Sequence, residues 1–209
     1  MFRLLCGALV AVVITGSHAT AQEVNITPDT ASASIEINGE LIQIERIQDT
    51  SHQLTSEFTK TSRPCPPFCI HPIAAAPGVS TVGEIEVISF LENEVAGGTG
   101  LLIDSRVPAW FAKGSIPGAV NVPFAALEET NPYRLEIIKA LGATQSGDGW
   151  NFDNAMQLTL FCNGPWCDQS PRSIRSLLAA GYPAEKINYY RGGMQLWLLL
   201  GLTVNTPNT

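Results

Sequence analysis

The chain is short of charge, and shorter still of base. Only 15% of its 209 residues are charged, and 12 lysines and arginines stand against 19 aspartates and glutamates, for a formal charge of −7. Nothing supplies the clustered basic surface that binding nucleic-acid phosphates requires, so nucleic acid is excluded as a partner. After the N-terminus there is no run of eighteen uncharged apolar residues, no heptad, no repeat period and no low-complexity tract. Integral-membrane, coiled-coil and solenoid architectures are thereby excluded. Cysteine is also scarce, with five in all, and its spacing fits no standard zinc pattern. What the sequence does have is apolar material, 45% of all residues, which suffices for one core of ordinary size and one main domain.

The first 21 residues carry one cation, Arg3, then an apolar run from Leu4 to Ile14, then the small residues Ala19, Thr20 and Ala21. That three-part pattern predicts a secretory signal peptide over residues 1–21, with a mature chain starting at Gln22 and a periplasmic or secreted location. Cleavage would remove Arg3 and Cys6, leaving 11 bases, 19 acids and four cysteines: Cys65, Cys69, Cys162 and Cys167. An even count outside the cytosol permits disulfides.

Residues 22–78 are expected to form an N-terminal extension. Period-two alternation on both sides of Asn38 and Gly39, the pair best suited to a type I′ turn, predicts a β-hairpin over residues 34–44. Residues 63–72 hold four prolines in ten positions, which excludes a regular helix or central strand and predicts a rigid extended loop. His52 reads as a surface residue.

Residues 79–205 are expected to form the main domain. Thr81, with Glu84 three residues on, has capping-box spacing ahead of an apolar face at Ile85, Ile88 and Leu91. Strands at 101–103, 119–121, 157–161 and 187–189 alternate with helices at 132–141, 171–180 and 193–200. Such alternation predicts an α/β fold with a mostly parallel central sheet and helices on both faces. Residues 142–153 read as a polar surface loop without chemistry.

The chemistry is expected where the apolar strand 157–161 ends. Cys162 follows it directly, and Ser170 as N-cap with Pro171 at the first helical position predicts a helix start. The intervening loop can turn its amides inward, toward the positive end of that helix, which favours an anion. Converging amides lower a thiol pKa, so Cys162 stands where a nucleophile would be activated; the same residue also fits as a small buried hydrophobe ending a strand. The loop residues Asn163, Gly164, Trp166, Asp168, Gln169 and Ser170 are the candidates for binding substrate. Trp166 would wall the site or touch a partner protein, and Trp197 reads as core.

Asp104, Ser105 and Arg106 at a strand end, then the run Gly114, Ser115, Ile116, Pro117, Gly118, Ala119, resemble the signature of rhodanese-like domains. Phe161 and Cys162 with loop and helix, Gly181 and Tyr182, then Arg191, Gly192, Gly193 and Trp197 are similar to the family's active-site loop and closing helix, in family order. The resemblance spans residues 79–204 and implies a single rhodanese-like domain. It also implies a sulfurtransferase in which Cys162 takes a sulfane sulfur from thiosulfate or a persulfide and passes it to a thiol or other acceptor. No metal or organic cofactor is implied. The loop departs from the family pattern: it is longer by about two residues and carries Cys167 and Asp168 where an arginine is often found. Arg106 reads as the partner of Asp104 and as a candidate attractor of anionic substrate, a claim Arg191 shares. Asp168 would repel thiosulfate if turned inward and would complement the helix dipole if turned outward.

Alternatives remain open at the cysteines. Cys167 fits as a resolving thiol that attacks a persulfide on Cys162, as a passive disulfide partner, or as a spectator. Cys65 and Cys69 fit as a disulfide, as a second exchanging thiol pair, or, with His71, as a copper(I) site. A catalytically silent binding module on the same fold is the other functional class, since fold does not prove activity.

Overall fold

A computed structural model describes residues 23–147 and 149–206. The expected signal peptide lies outside the described residues. The elements run β1 (Ser32–Ile37), β2 (Glu40–Glu45), β3 (Ser80–Val82), α1 (Glu84–Phe90) continued by a π-helical turn (Leu91–Val95), β4 (Gly100–Asp104) and α2 (Pro108–Phe111). They continue with β5 (Val120–Asn121), α3 (Arg134–Ala140), β6 (Thr144–Ser146), β7 (Gly149–Asn151), β8 (Gln157–Phe161), α4 (Gln169–Ala179), β9 (Ile187–Tyr190) and α5 (Gly193–Leu199).

Five strands form one sheet in the order β3-β9-β8-β4-β5, and every pairing in it is parallel. Strand side chains alternate between two cores, as a sheet covered on both faces requires. Leu102, Phe161 and Tyr190 face a core shared with Val87, Leu91, Met194 and Trp197. Ile103, Leu160 and Tyr189 face the opposite core, with Ile174, Leu177 and Tyr182.

The hairpin forms as its turn chemistry predicts. Asn38 and Gly39 take the positive φ values of 54° and 81° that a two-residue type I′ turn demands, and Ile37 pairs with Glu40. Ala33, Ile35 and Ile44 bury their side chains in the first of the two cores. The chain beyond β2 zips onto the segment after α5, through the bonds of Ile47 N to the Gly201 carbonyl at 2.8 Å and Thr203 N to the Glu45 carbonyl at 3.0 Å.

Two local expectations are corrected. Thr81 is not a helix cap: it lies in β3, paired with Tyr189, because a parallel edge position on β9 satisfies its backbone. The helix starts two residues later, with Gly83 as N-cap and the Glu86 carboxylate accepting from the Gly83 amide at 3.0 Å. Residues 142–153 are not plain loop, since β6 and β7 pair within them as a short antiparallel hairpin. No helix among the described residues is long and apolar enough to cross a membrane.

Candidate active site

β4, β8 and β9 all end at the same edge of the sheet, and in an open parallel sheet the crevice beyond the carboxyl ends of the strands is where ligands bind. Cys162 leaves central β8 there, beside Arg106 from β4 and Arg191 from β9. The loop then folds back on itself: the Cys167 amide donates to the Gly164 carbonyl at 2.9 Å. That turn brings the Cys167 carbonyl within 3.2 Å of Cys162 Sγ, which donates to it as a thiol.

α4 begins two residues before the expected start. Asp168 is the N-cap, because the closed turn delivers the chain to helical geometry by then, and Arg172 N already bonds to the Asp168 carbonyl at 2.9 Å. Ser170 is therefore not the cap. It sits inside the first turn, fully buried, and its hydroxyl donates to Cys162 Sγ at 3.1 Å. Pro171 also lies in the first turn, where its missing N–H leaves no helical bond unmade.

The thiol of Cys162 is 2% exposed. Burial on its own raises its pKa. The Cys167 thiol, the Ser170 hydroxyl and the amides of Ser170 and Gly164 together outweigh that, so the Cys162 pKa lies below its ordinary value. Cys167 moves the opposite way, first because its S–H is committed to Cys162, then through burial and the charge on Cys162. The two thiols thus differ in acidity, Cys162 shifted down and Cys167 up.

α5 holds the loop from the other side. Met194 N donates to the Cys162 carbonyl at 3.0 Å and Gln195 N to the Asn163 carbonyl at 2.9 Å. This approach is possible only at glycine: Gly193 has φ +55°, and a Cβ there would lie 2.3 Å from the Cys162 carbonyl oxygen and 2.8 Å from Gly164 N. The value of Gly193 in the sequence is therefore backbone contact with the loop, while a Cβ at Gly192 would lie 2.8 Å from the Tyr190 ring.

Arg106, expected among the substrate-binding residues, is 1% exposed and fully engaged. Its guanidinium forks onto Asp104, at 2.9 Å from Nε and 2.6 Å from Nη2, and donates to the Gly114 carbonyl at 2.7 Å. Ser115 donates to the same Asp104 carboxylate at 2.7 Å. Asn163 turns its amide oxygen toward Arg106 at 3.4 Å, so Asn163 and Arg106 brace the loop root. Both are buried, and Arg106 is held in this ion pair at the root of the loop. Arg191 also serves elsewhere, donating to the carbonyls of His71 at 2.8 Å and Pro72 at 3.1 Å.

Cys65 and Cys69 are joined as a disulfide, the first of the arrangements their spacing allows. The stapled segment lies across the active loop, a placement the sequence did not reveal because no local pattern links residues so far apart. His71 N donates to the Pro165 carbonyl at 2.9 Å, and Phe68 meets Trp166 edge-on at 5.3 Å. The Arg63 guanidinium stacks on Trp166 at 4.3 Å, and Trp166 Nε1 donates to Gln195 at 2.6 Å. Trp166 is therefore the anchor of this strap. Asp168 is compensated on its outer side by Arg175 at 3.1 Å and faces His71 Nδ1 at 3.8 Å. The Gln169 side-chain oxygen is buried without a partner, as is the hydroxyl of Tyr189, a neighbour whose ionisation is opposed by burial and then by the charge of Cys162. His52 is exposed, and Trp197 is core.

The chain is 30% identical over 104 residues to an HTH-type transcriptional regulator of Mycobacterium tuberculosis, a match covering 50% of this chain and 37% of that one; the chain thus spans little more than a third of that curated relative. Among solved structures it is similar to a human single-domain sulfurtransferase, at 25% identity over 58% of this chain and 96% of that one, with a TM-score of 0.40. It is also similar to a thiosulfate sulfurtransferase from Pseudomonas aeruginosa, at 22% identity over 63% and 21% of the two chains, with a TM-score of 0.44. A protein of unknown function and possible tyrosine phosphatase from Rhodopseudomonas palustris matches at 17% identity over 63% and 88%, with a TM-score of 0.45. The rhodanese-like domain family model matches residues 88–200, more than half of the chain and all of the loop just described, and the chain therefore belongs to the rhodanese-like domain family.

Proposed function

We propose that the protein is a sulfurtransferase that carries sulfane sulfur as a persulfide on Cys162. The observation that carries this reading is one buried sulfur at the strand end, with the Ser170 hydroxyl donating to it at 3.1 Å in surroundings that lower its pKa. Fixed donors of this kind stabilise an anionic sulfur without reorganising when the reaction begins.

With thiosulfate as donor, the Cys162 thiolate attacks the sulfane sulfur. A sulfur–sulfur bond forms to Cys162 as the donor's own sulfur–sulfur bond breaks, and sulfite leaves with the bonding pair. The product is a Cys162 persulfide anion. An acceptor thiolate then attacks the outer sulfur, takes it as a new persulfide and returns Cys162 as thiolate. The donor class is a small sulfane-sulfur compound and the acceptor a thiol; Asn163, Gly164, Trp166, Asp168, Gln169 and Ser170 form the loop that receives them.

The same reading puts the mature protein in the periplasm or outside the cell. The Cys65–Cys69 disulfide supports an oxidising compartment, as does the leader pattern of residues 1–21. A second reading, a silent module whose strap surface binds a protein partner, is favoured by the near-complete burial of Cys162. Steady-state transfer from thiosulfate to a thiol acceptor decides between them: turnover lost in Cys162→Ser supports the enzyme, and no turnover in the native chain with any small acceptor supports the module.

A further inference from the structure

The loop holds two thiols where the proposed sulfur transfer needs one, and the second is built into the first's surroundings. Cys162 and Cys167 are both free and both buried. The turn closed by the Cys167 amide on the Gly164 carbonyl at 2.9 Å returns residue 167 to residue 162, and the Cys167 carbonyl lies 3.2 Å from Cys162 Sγ. The two thiols are shifted in opposite directions, Cys162 toward the thiolate and Cys167 toward the thiol. Outside acceptors face a different geometry. Cys162 is 2% exposed, and the disulfide-stapled strap lies on Pro165 and Trp166 through His71, Phe68 and Arg63. Once a sulfur is loaded, the nearest acceptor is inside the loop.

We propose that Cys167 is a resolving thiol, which gives the protein a second outcome, persulfide cleavage with release of sulfide, when no outside thiol takes the sulfur; this rests on the reading of Cys162 as the persulfide carrier. In the step, the Cys162 persulfide anion takes the Cys167 proton on its outer sulfur. The Cys167 thiolate so formed attacks the inner sulfur. A Cys162–Cys167 bond forms, the bond between inner and outer sulfur breaks, and the outer sulfur departs as hydrosulfide with that bonding pair and the proton. Charge and atoms balance: one persulfide anion and one thiol become one disulfide and one hydrosulfide. The sulfane sulfur is reduced and the two cysteine sulfurs are oxidised. Return to the resting state requires a dithiol reductant, which attacks the Cys162–Cys167 bond and leaves as its own disulfide. The closed turn keeps residue 167 beside the inner sulfur that its thiolate must attack.

The test is a single-turnover experiment on the full mature chain, with its Cys65–Cys69 disulfide intact, loaded with one equivalent of thiosulfate and given no acceptor thiol. Samples are alkylated without reduction and weighed whole, and free sulfide is trapped with a bimane reagent. The expected result is a one-sulfur adduct that decays to a form two hydrogens lighter than the starting dithiol, with one equivalent of sulfide released and a Cys162–Cys167 cross-link in the peptide map. In Cys167→Ser, and in Cys167→Ala as a second variant of different polarity, the adduct forms, persists, and releases no sulfide until an outside thiol is added. A native adduct that persists as long as the variants' adduct, or sulfide release that survives in both variants, overturns the inference while leaving the persulfide carrier standing. No adduct in any form, with Cys162→Ser as control, overturns the carrier and this inference together.

Discussion

Ser170→Ala removes one hydrogen bond from a sulfur that the rest of the loop leaves in place, which makes it a direct probe of how the Cys162 thiolate is held. The hydroxyl is fully buried and 3.1 Å from Sγ, so no water takes over its role without a cavity to sit in. A hydrogen bond to a charged partner contributes about 1.5–3 kcal/mol, against about 1 kcal/mol when the partner is neutral. The difference, about 0.5–2 kcal/mol, falls on the thiolate alone and lowers its fraction at neutral pH by about 2- to 30-fold. The sign follows from the direction of the shift: the thiol ionises below its ordinary value of 9.0, and loss of a donor moves it back toward 9.0. The assay is the rate of iodoacetamide alkylation at Cys162 across pH, read on the peptide so that Cys167 is scored separately. The variant's profile shifts to higher pH while its plateau rate stays close to the native one. A profile that does not move would refute the assignment of Ser170 as a donor to the thiolate.

Other expectations follow from the same contacts. Gly193→Ala forces a Cβ to 2.3 Å from the Cys162 carbonyl at a positive φ; chemical denaturation should show a loss of at least about 2 kcal/mol, since a non-glycine left-handed residue alone costs about 1–2. Arg106→Ala leaves Asp104 charged and buried, and the same measurement should show a loss of about 3–5 kcal/mol, larger than for any single surface pair. Replacing Cys65 and Cys69 together with serine frees the strap; trypsin cleavage after Lys60 and alkylation of Cys162 should both accelerate, and an unchanged alkylation rate would show that the strap does not limit access. The hydroxyls of Tyr182, Tyr189 and Tyr190 are held protonated first by burial. Their folded-state pKa values lie above the unfolded value of 10.0, so the stability they contribute is complete below pH 10 and is lost as pH rises beyond it, visible as a falling urea midpoint.

The fold was legible because its signals are local. Asn38 and Gly39 announce a turn, the apolar runs 101–103 and 157–161 announce buried strands, and Gly, Pro and small residues mark the joints between them. Cys162 was legible for the same reason, as a thiol placed between a strand end and a helix start. Helix starts were misplaced at Thr81 and Ser170, where tertiary partners outcompeted local capping chemistry: β9 for Thr81, and Cys162 Sγ for the Ser170 hydroxyl. The strap was not legible at all, because the contacts of Arg63, Phe68 and His71 with Trp166, Pro165 and Asp168 join positions about a hundred residues apart. Arg106 shows the limit in the other direction. Its pairing with Asp104 follows from their neighbouring positions at a strand end, but that the pair would be sealed from solvent by Gly114, Ser115 and Asn163 depends on packing that no short pattern encodes.

The central claim is that Cys162 carries sulfur, and the most direct measurement is the whole-protein mass of the mature chain before and after brief exposure to thiosulfate, with peptide mapping and a Cys162→Ser control. The account predicts a transient gain of one sulfur atom on the peptide that holds Cys162, absent from the control. A native chain that gains no sulfur at the earliest quenched times, with Cys162 shown to be a free thiol, would contradict it.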